Sequence, residues 1–224
     1  MIRPCVGPDT VILPVQNGVD IAERIGRILG QDRVLGGSAW IGGHIEAPGV
    51  IVHRTSGSSG SLTFGELGGG SSARVEQLRA DLDRVGIDAI VDPNIRLNLW
   101  EKFVAMCANS AVTAVTRELT GVIFANPTTT ALYRGLMEET AAVGRACGVP
   151  IADGYVDERL AALRAMPSFR ASTAVDLLAG RRLETEALNG TVVRLGTECG
   201  VPTPLNFAMY ACLGPFIDGA PSAA

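Results

Sequence analysis

Apolar and polar positions follow two different periods along this chain, and the change comes at Asp92-Pro93. Ahead of it, short apolar runs alternate with segments of helical spacing. Val11–Val15, Val34–Ile41, Val50–His53, Leu62–Gly65 and Ile87–Val91 read as strands. Ile21–Leu29 and Ala73–Val85 read as helices, the second through Val75, Leu78, Leu82 and Val85. The stretches Ser56–Ser61 and Gly68–Ser72 read as turns, since neither has the strand–GxGxxG–helix context of a phosphate cradle. After Pro93 the strand signal stops. Asn94–Thr116, Thr128–Cys147, Val156–Ala165, Glu184–Cys199 and Pro204–Leu213 predict helices. Gly121, Asn126-Pro127, Gly148-Val149-Pro150 and Gly200-Val201-Pro202 punctuate them. The pattern predicts an α/β domain over residues 1–92 followed by an all-α domain over residues 93–224.

One polar residue is out of keeping with its segment. Lys102 sits among Leu99, Trp100, Phe103, Val104, Ala105, Met106, Cys107 and Ala108. At about 100° per residue, Asn98, Asn109 and Thr113 fall within about 40° of Lys102, and Trp100, Val104, Ala108, Ala111 and Val115 lie on the far side. The few polar groups of a largely buried helix therefore form one stripe with a lysine in it. A buried ammonium is costly unless paired, and its pKa shifts readily.

Composition narrows the classes. A formal net charge of −4 leaves no basic footprint for nucleic acid or an anionic membrane. Hydrophobic residues make up 47% and charged residues 19%, with mean hydropathy +0.26, so the excess apolar surface, concentrated in the Asn94–Cys147 helices, is expected to cover an interface with another subunit or a missing segment, and a homodimer formed through the helical domain is expected. No run approaches the length of a membrane span, and the first eight residues have no signal-peptide core. The five cysteines are widely spaced with no CxxC, and only two histidines occur, so neither a disulfide framework nor a metal site is expected and a cytoplasmic location fits best.

Four short signatures occur in order: Pro14-Val15-Gln16-Asn17-Gly18, Leu99-Trp100-Glu101-Lys102, Ser172-x-x-x-Asp176, and Gly180-Arg181-Arg182-Leu183-Glu184 running into Leu188-Asn189-Gly190. Together with Gly200-Val201-Pro202-x-Pro204, the ordered set resembles the ketopantoate reductase (2-dehydropantoate 2-reductase) family from about Thr10 to Leu213. The resemblance implies a remnant of a Rossmann-type dinucleotide-binding domain followed by a helical domain of the 6-phosphogluconate-dehydrogenase kind. It implies NADPH as cofactor and a small 2-keto acid as substrate. It places Asn17 and Gly18 at the nicotinamide end of the cofactor, Lys102 as catalytic lysine, Ser172 on the substrate carboxylate, and Glu184 on substrate or cofactor, in a cleft between the two domains. Asn109 lies on the lysine's face, out of register with the family's asparagine, and joins Ser172 as a candidate substrate contact. Physically, charge builds on the carbonyl oxygen as a 2-keto acid is reduced; a nearby ammonium stabilises it and donates the proton, and an opposing glutamate would keep that lysine charged.

The same residues admit plainer roles. Ser172 can cap a helix over Thr173–Leu178, and Glu184 can favour a helix dipole from its start. The chain departs from the family in two respects. The glycine-rich loop that grips the pyrophosphate has no counterpart, as if about 80 residues were missing ahead of Met1. Met106, Thr120 and Phe169 stand where the family carries substrate-handling asparagines. Two alternatives therefore stay open: a paralogue reducing another 2-keto acid, and a non-catalytic dimerising helical module.

Overall fold

Pro14 prevents the first predicted strand from forming. Ile12 makes one parallel rung with Val34, its N–H donating to the Arg33 carbonyl and its own carbonyl accepting from Leu35 at 2.8 and 2.9 Å. The next rung would need the N–H that proline lacks, so Val11–Val15 contributes a bridge and no strand. The computed structural model describes residues 2–53 and 60–220, the side chain of His44 excepted. Most of the predicted turn Ser56–Ser61 lies outside the described residues. The chain divides into two compact units, Met1–Leu99 and Trp100–Ala224.

In the first unit, helix α1 spans Ile21–Leu29, and strands β1 (Gly36–Trp40), β2 (Gly43–Ala47) and β3 (Val50–His53) follow. Then come β4 (Ser61–Gly65), helix α2 (Ala73–Arg84) and β5 (Ala89–Val91). The sheet order is β1-β4-β5: β4 runs antiparallel to β1, with Ser38 opposite Thr63, and parallel to β5, with Phe64 opposite Val91. β2 and β3 make a separate hairpin across a Pro48-Gly49 turn. Sequence reading missed β2, whose Gly-His-Ile-Glu-Ala has no apolar run. Leu35, Phe64 and Val75 form the core, covered by Leu78 and Leu82 of α2 as its spacing predicts. Val85 follows the last helical turn and is exposed. The Gly68–Ser72 loop is held by Glu66, whose carboxylate accepts from Ser72 Oγ at 2.6 Å and from both Arg74 Nε and Nη2 at 2.7 and 2.6 Å. Those bonds, Arg74 first, hold the Glu66 carboxyl below its usual range.

Helix α3 (Ile95–Thr116) begins in the first unit and runs into the second, which also holds α4 (Thr120–Ala125), α5 (Pro127–Ala146), α6 (Tyr155–Arg164), α7 (Ser172–Leu178), α8 (Thr191–Cys199) and α9 (Pro204–Leu213). From Phe103 to Ala114 every residue of α3 but Met106 is buried. The apolar stretch Phe103–Ala114 is thus packed inside the unit; large apolar side chains left open include Trp40, Ile41, Ile45, Val50 and Ile51 on the β2–β3 hairpin and its flank, and Val115, Val122, Val175, Leu178 and Phe207 in the helical unit. The predicted helix Glu184–Cys199 is interrupted. Residues Glu186–Gly190 form a π-turn, closed by Gly190 N–H on the Thr185 carbonyl at 3.0 Å, and α8 begins at Thr191. α4 also escaped the sequence reading, being six residues with Gly121 second.

A buried polar chain ties this unit together. Asn189 Nδ2, in the π-turn, donates to Asn206 Oδ1 at 2.9 Å and to the Cys107 carbonyl of α3 at 3.4 Å. Asn206 Nδ2 donates in turn to Glu139 of α5 at 2.8 Å. The Glu139 carboxylate also accepts the Leu205 and Asn206 backbone N–H groups, at 2.8 and 2.9 Å, and so caps α9 from another helix. Asn189 and Asn206 are 1% and 0% exposed, so a lost partner is not replaced by water. Asn206→Ala is expected to cost about 2–3 kcal/mol and Asn189→Ala about 1–3 kcal/mol. The double variant should fall short of their sum by about 1 kcal/mol, because one bond is counted twice. Urea unfolding followed through Trp100 in a Trp40→Phe background measures all three; strict additivity would show that the Asn–Asn bond contributes nothing.

Candidate active site

α3 carries two of the candidate residues, Lys102 and Asn109, on a helix that is largely buried. The turn around Lys102 is fixed on both flanks. Trp100, 3% exposed, meets Phe103 edge-on with ring centroids 5.7 Å apart. Tyr155 of α6 donates its hydroxyl to the Glu101 carbonyl at 2.5 Å. Burial pushes the Tyr155 phenol up to about 12, so it stays a donor at neutral pH. Lys102 itself is half-buried, and burial lowers its amine below the ordinary 10.5. That direction is opposite to the one expected from an opposing Glu184: desolvation outweighs any counter-charge. The ammonium is consequently a readier proton donor than a surface lysine.

The predicted polar stripe is present and has a second use. Asn109 lies two turns from Lys102, roughly 10 Å along the axis. It is 7% exposed, and its Oδ1 is buried without a hydrogen-bond partner among the described residues. One turn further, Thr113 is fully buried, donates to the Asn109 carbonyl at 2.7 Å and accepts the Ala171 N–H at 3.4 Å. The face that carries Lys102 thus fixes the residue immediately before Ser172. Ser172 is the first residue of α7 and is exposed; Ala171 occupies the cap position, and no side chain caps this helix. The capping reading of Ser172 is therefore corrected, and its hydroxyl is not used on the helix end.

Glu184 is presented by its neighbour. Leu183 is 4% exposed and packs with Ala114 of α3, Ala174 of α7 and Leu213 of α9. Its N–H donates to the Ile217 carbonyl at 2.9 Å. With Leu183 held in the core, the next residue faces outward, and Glu184 is exposed just ahead of the π-turn. The preceding signature residues are bound to one another: Asp176 Oδ1 accepts Arg181 Nε and Nη2 at 2.8 and 2.7 Å, and the Arg181 N–H returns to the Asp176 carbonyl at 2.8 Å. Two motifs that read as separate in sequence make one clasp between α7 and the Glu184 segment. Neither Asp176 nor Thr113 was assigned a role from sequence; the Ser172-x-x-x-Asp176 spacing is the signal for the first.

Asn17 and Gly18 belong to the first unit. They follow Pro14 in an irregular turn, Asn17 half-buried, beside a shallow hollow lined by Pro14, Gln16, Gly18, Val19, Gly37 and Leu99. A Cβ on Gly37 would stand 2.5 Å from the Pro14 carbonyl oxygen, so the strand and the turn approach backbone to backbone. Lys102, Asn109, Ser172 and Glu184 all belong to the second unit. Of the substituted asparagine positions, Met106 is half-buried and Phe169 is 38% exposed. Thr120 is committed to the fold, donating to the Met166 carbonyl at 2.5 Å and accepting the Phe169 N–H at 3.3 Å. Among the described residues no group of three or more His, Cys, Asp or Glu is placed to hold a metal ion, and no helix is long and apolar enough to cross a membrane.

The chain belongs to the ketopantoate reductase PanE/ApbA family. The family's C-terminal profile matches residues 94–216 and its general profile residues 1–69. The chain is 30% identical to a 2-dehydropantoate 2-reductase from Mesorhizobium japonicum, across 94% of its own length and 69% of that protein's. It is 29% identical to the Nostoc enzyme of the same name, over 98% and 69% of the two chains. The crystal structure of 2-dehydropantoate 2-reductase from Methylococcus capsulatus superposes with a TM-score of 0.85 at 33% identity, covering 95% of this chain and 67% of that one. These relatives are named 2-dehydropantoate 2-reductase, and the fold is the α/β unit of a Rossmann-type domain followed by a helical domain.

The lowered Lys102 pKa has a measurable sign. Below the folded pKa the amine is charged in both states and burial costs stability; between that value and 10.5 only the unfolded chain keeps the proton, so stability rises with pH across this window. Lys102→Met abolishes the dependence. The stability advantage of Lys102→Met over the parent is expected to shrink as pH approaches 10.5, read by urea midpoints at a series of pH values; a gap that does not change with pH would show that the amine is not desolvated.

Proposed function

We propose that this protein reduces a 2-keto acid to the 2-hydroxy acid with NADPH, as a reductase of the 2-dehydropantoate type. The observation that carries this reading is the half-buried Lys102 on the same face of α3 as Thr113, which fixes the start of the Ser172 helix. NADPH, when bound, supplies the hydride. The chain's own residues do the rest. The Lys102 ammonium stabilises the charge that develops on the substrate's carbonyl oxygen and gives that oxygen its proton from Nζ; its lowered pKa favours the transfer. Ser172 donates to the substrate carboxylate, and Asn109, on the same face of α3 as Lys102, is the second candidate substrate contact. Glu184 accepts a hydrogen bond from substrate or cofactor, and Asn17 with Gly18 receives the nicotinamide end of the cofactor.

A second reading concerns the substrate's side chain. Met106 and the exposed Phe169 offer apolar surface where an amide would bind a hydroxyl, which favours a 2-keto acid with an apolar substituent. Steady-state kinetics with NADPH on 2-dehydropantoate and a series of apolar 2-keto acids distinguish the two. Lys102→Ala should lower the rate by about two to four orders of magnitude with cofactor affinity unchanged, and Lys102→Arg should also be poor. Glu184→Gln should raise KM and lower kcat together. A Lys102→Ala variant keeping more than about a third of the parent rate would end the catalytic assignment.

The protein's own partner is a second copy of itself, and the exposed Trp40, Ile45 and Ile51 supply apolar surface for that contact. Sedimentation at micromolar concentration should give a dimer, and an Ile45→Asp, Ile51→Asp variant should shift toward monomer; a monomeric parent would overturn this.

A further inference from the structure

The tetrapeptide Cys-Gly-Val-Pro occurs twice, at Cys147–Pro150 and Cys199–Pro202. Each copy closes a helix of the second unit, the first after α5 and the second at the end of α8. Both use the same hydrogen bonds. Gly148 N–H donates to Arg145 and Val149 N–H to Gly144, at 2.9 and 3.0 Å; Gly200 N–H donates to Thr197 and Val201 N–H to Gly196, at 3.4 and 2.8 Å. Gly148 and Gly200 have φ of 79° and 71°, left-handed values that glycine adopts without strain. Two matched helix ends thus hold the two cysteines in a fixed attitude. α5 packs on α8, and the two Sγ atoms stand 3.3 Å apart. Cys199 is exposed and Cys147 partly so, whereas Cys107 is buried with its thiol pushed up by burial.

We propose that Cys147 and Cys199 are a dithiol that closes reversibly to an intramolecular disulfide by exchange with low-molecular-weight disulfides. The exposed Cys199 thiolate attacks one sulfur of the small disulfide, forming a mixed disulfide and releasing one small thiol. The Cys147 thiolate then attacks Cys199 Sγ, forming the Cys147–Cys199 bond and expelling the second small thiol. The protein is oxidised by two electrons, the small disulfide is reduced by two, and the two protein thiol protons end on the two small thiols. Closing the pair joins residues 52 apart in sequence and pins the end of α5 to the end of α8. Neither cysteine is among the residues placed on substrate or cofactor.

The test is exchange with oxidised glutathione at mildly alkaline pH, followed by alkylation, trypsin and mass spectrometry. A Cys212→Ser background is used because the tryptic peptide beginning at Leu195 also contains that residue. The expected product is the Ala146–Arg159 peptide joined to the Leu195 peptide, with no glutathione attached. Cys147→Ser should trap glutathione on Cys199. The thermal midpoint of the oxidised parent should rise by several degrees, return on reduction, and stay unmoved in either serine variant. Glutathione on both cysteines without a cross-link, or a cross-link between two chains, would overturn the proposal.

Discussion

The helical unit depends on one hydrogen bond, from Asn189 to Asn206. Each amide has a second duty in the same dry interior. Asn189 reaches a carbonyl of α3 five residues past Lys102, and Asn206 reaches the carboxylate that caps its own helix. Amides in such surroundings are costly when half-satisfied and rigid when fully satisfied. Because Asn189 lies five residues beyond Glu184, the chain relates Glu184 to the lysine helix through a network in which water has no place. Position is what a reductase site must supply, since the reacting electrons come from a cofactor.

The second constraint is desolvation at the lysine. α3 is buried from Phe103 to Ala114 but for Met106, and Lys102 is held half-buried at the start of that stretch. Burial makes the Lys102 ammonium easier to deprotonate. A donor that gives its proton readily is useful where an oxygen acquires charge, and a cost in stability is the usual companion of such a donor.

How legible this was in the sequence depends on the distance over which each feature is decided. α1 and α9 match their predicted bounds residue for residue, because Gly30 and Gly214 follow them and their apolar spacing is local. α3 was legible for the same reason, and so was the stripe of Lys102, Asn109 and Thr113. β2 and α4 were not, being short and built around glycine, and Val11–Val15 misled because one proline outweighed its apolar run. Thr113 reaching Ala171 and Asp176 clasping Arg181 became visible only with the chain folded. The family signatures pointed to candidate residues without showing how they are held. The closeness of Cys147 and Cys199 is of the same kind: wide spacing gives no sign of it, and only the folded chain sets the two Sγ atoms 3.3 Å apart.

The π-turn between Glu184 and α8 makes this part of the chain a ruler of fixed length. A π-turn holds one residue more than the α-helical turn it replaces, and the residues after it are rotated by about 100° relative to an uninterrupted helix. Deleting one residue between Leu183 and Thr191 would let the helix run on unbroken and would swing Asn189 off the interior face that holds Asn206. Inserting one would do the same in the other direction. Among descendants of this chain, a change in the length of this turn removes the Asn189–Asn206 bond in a single event.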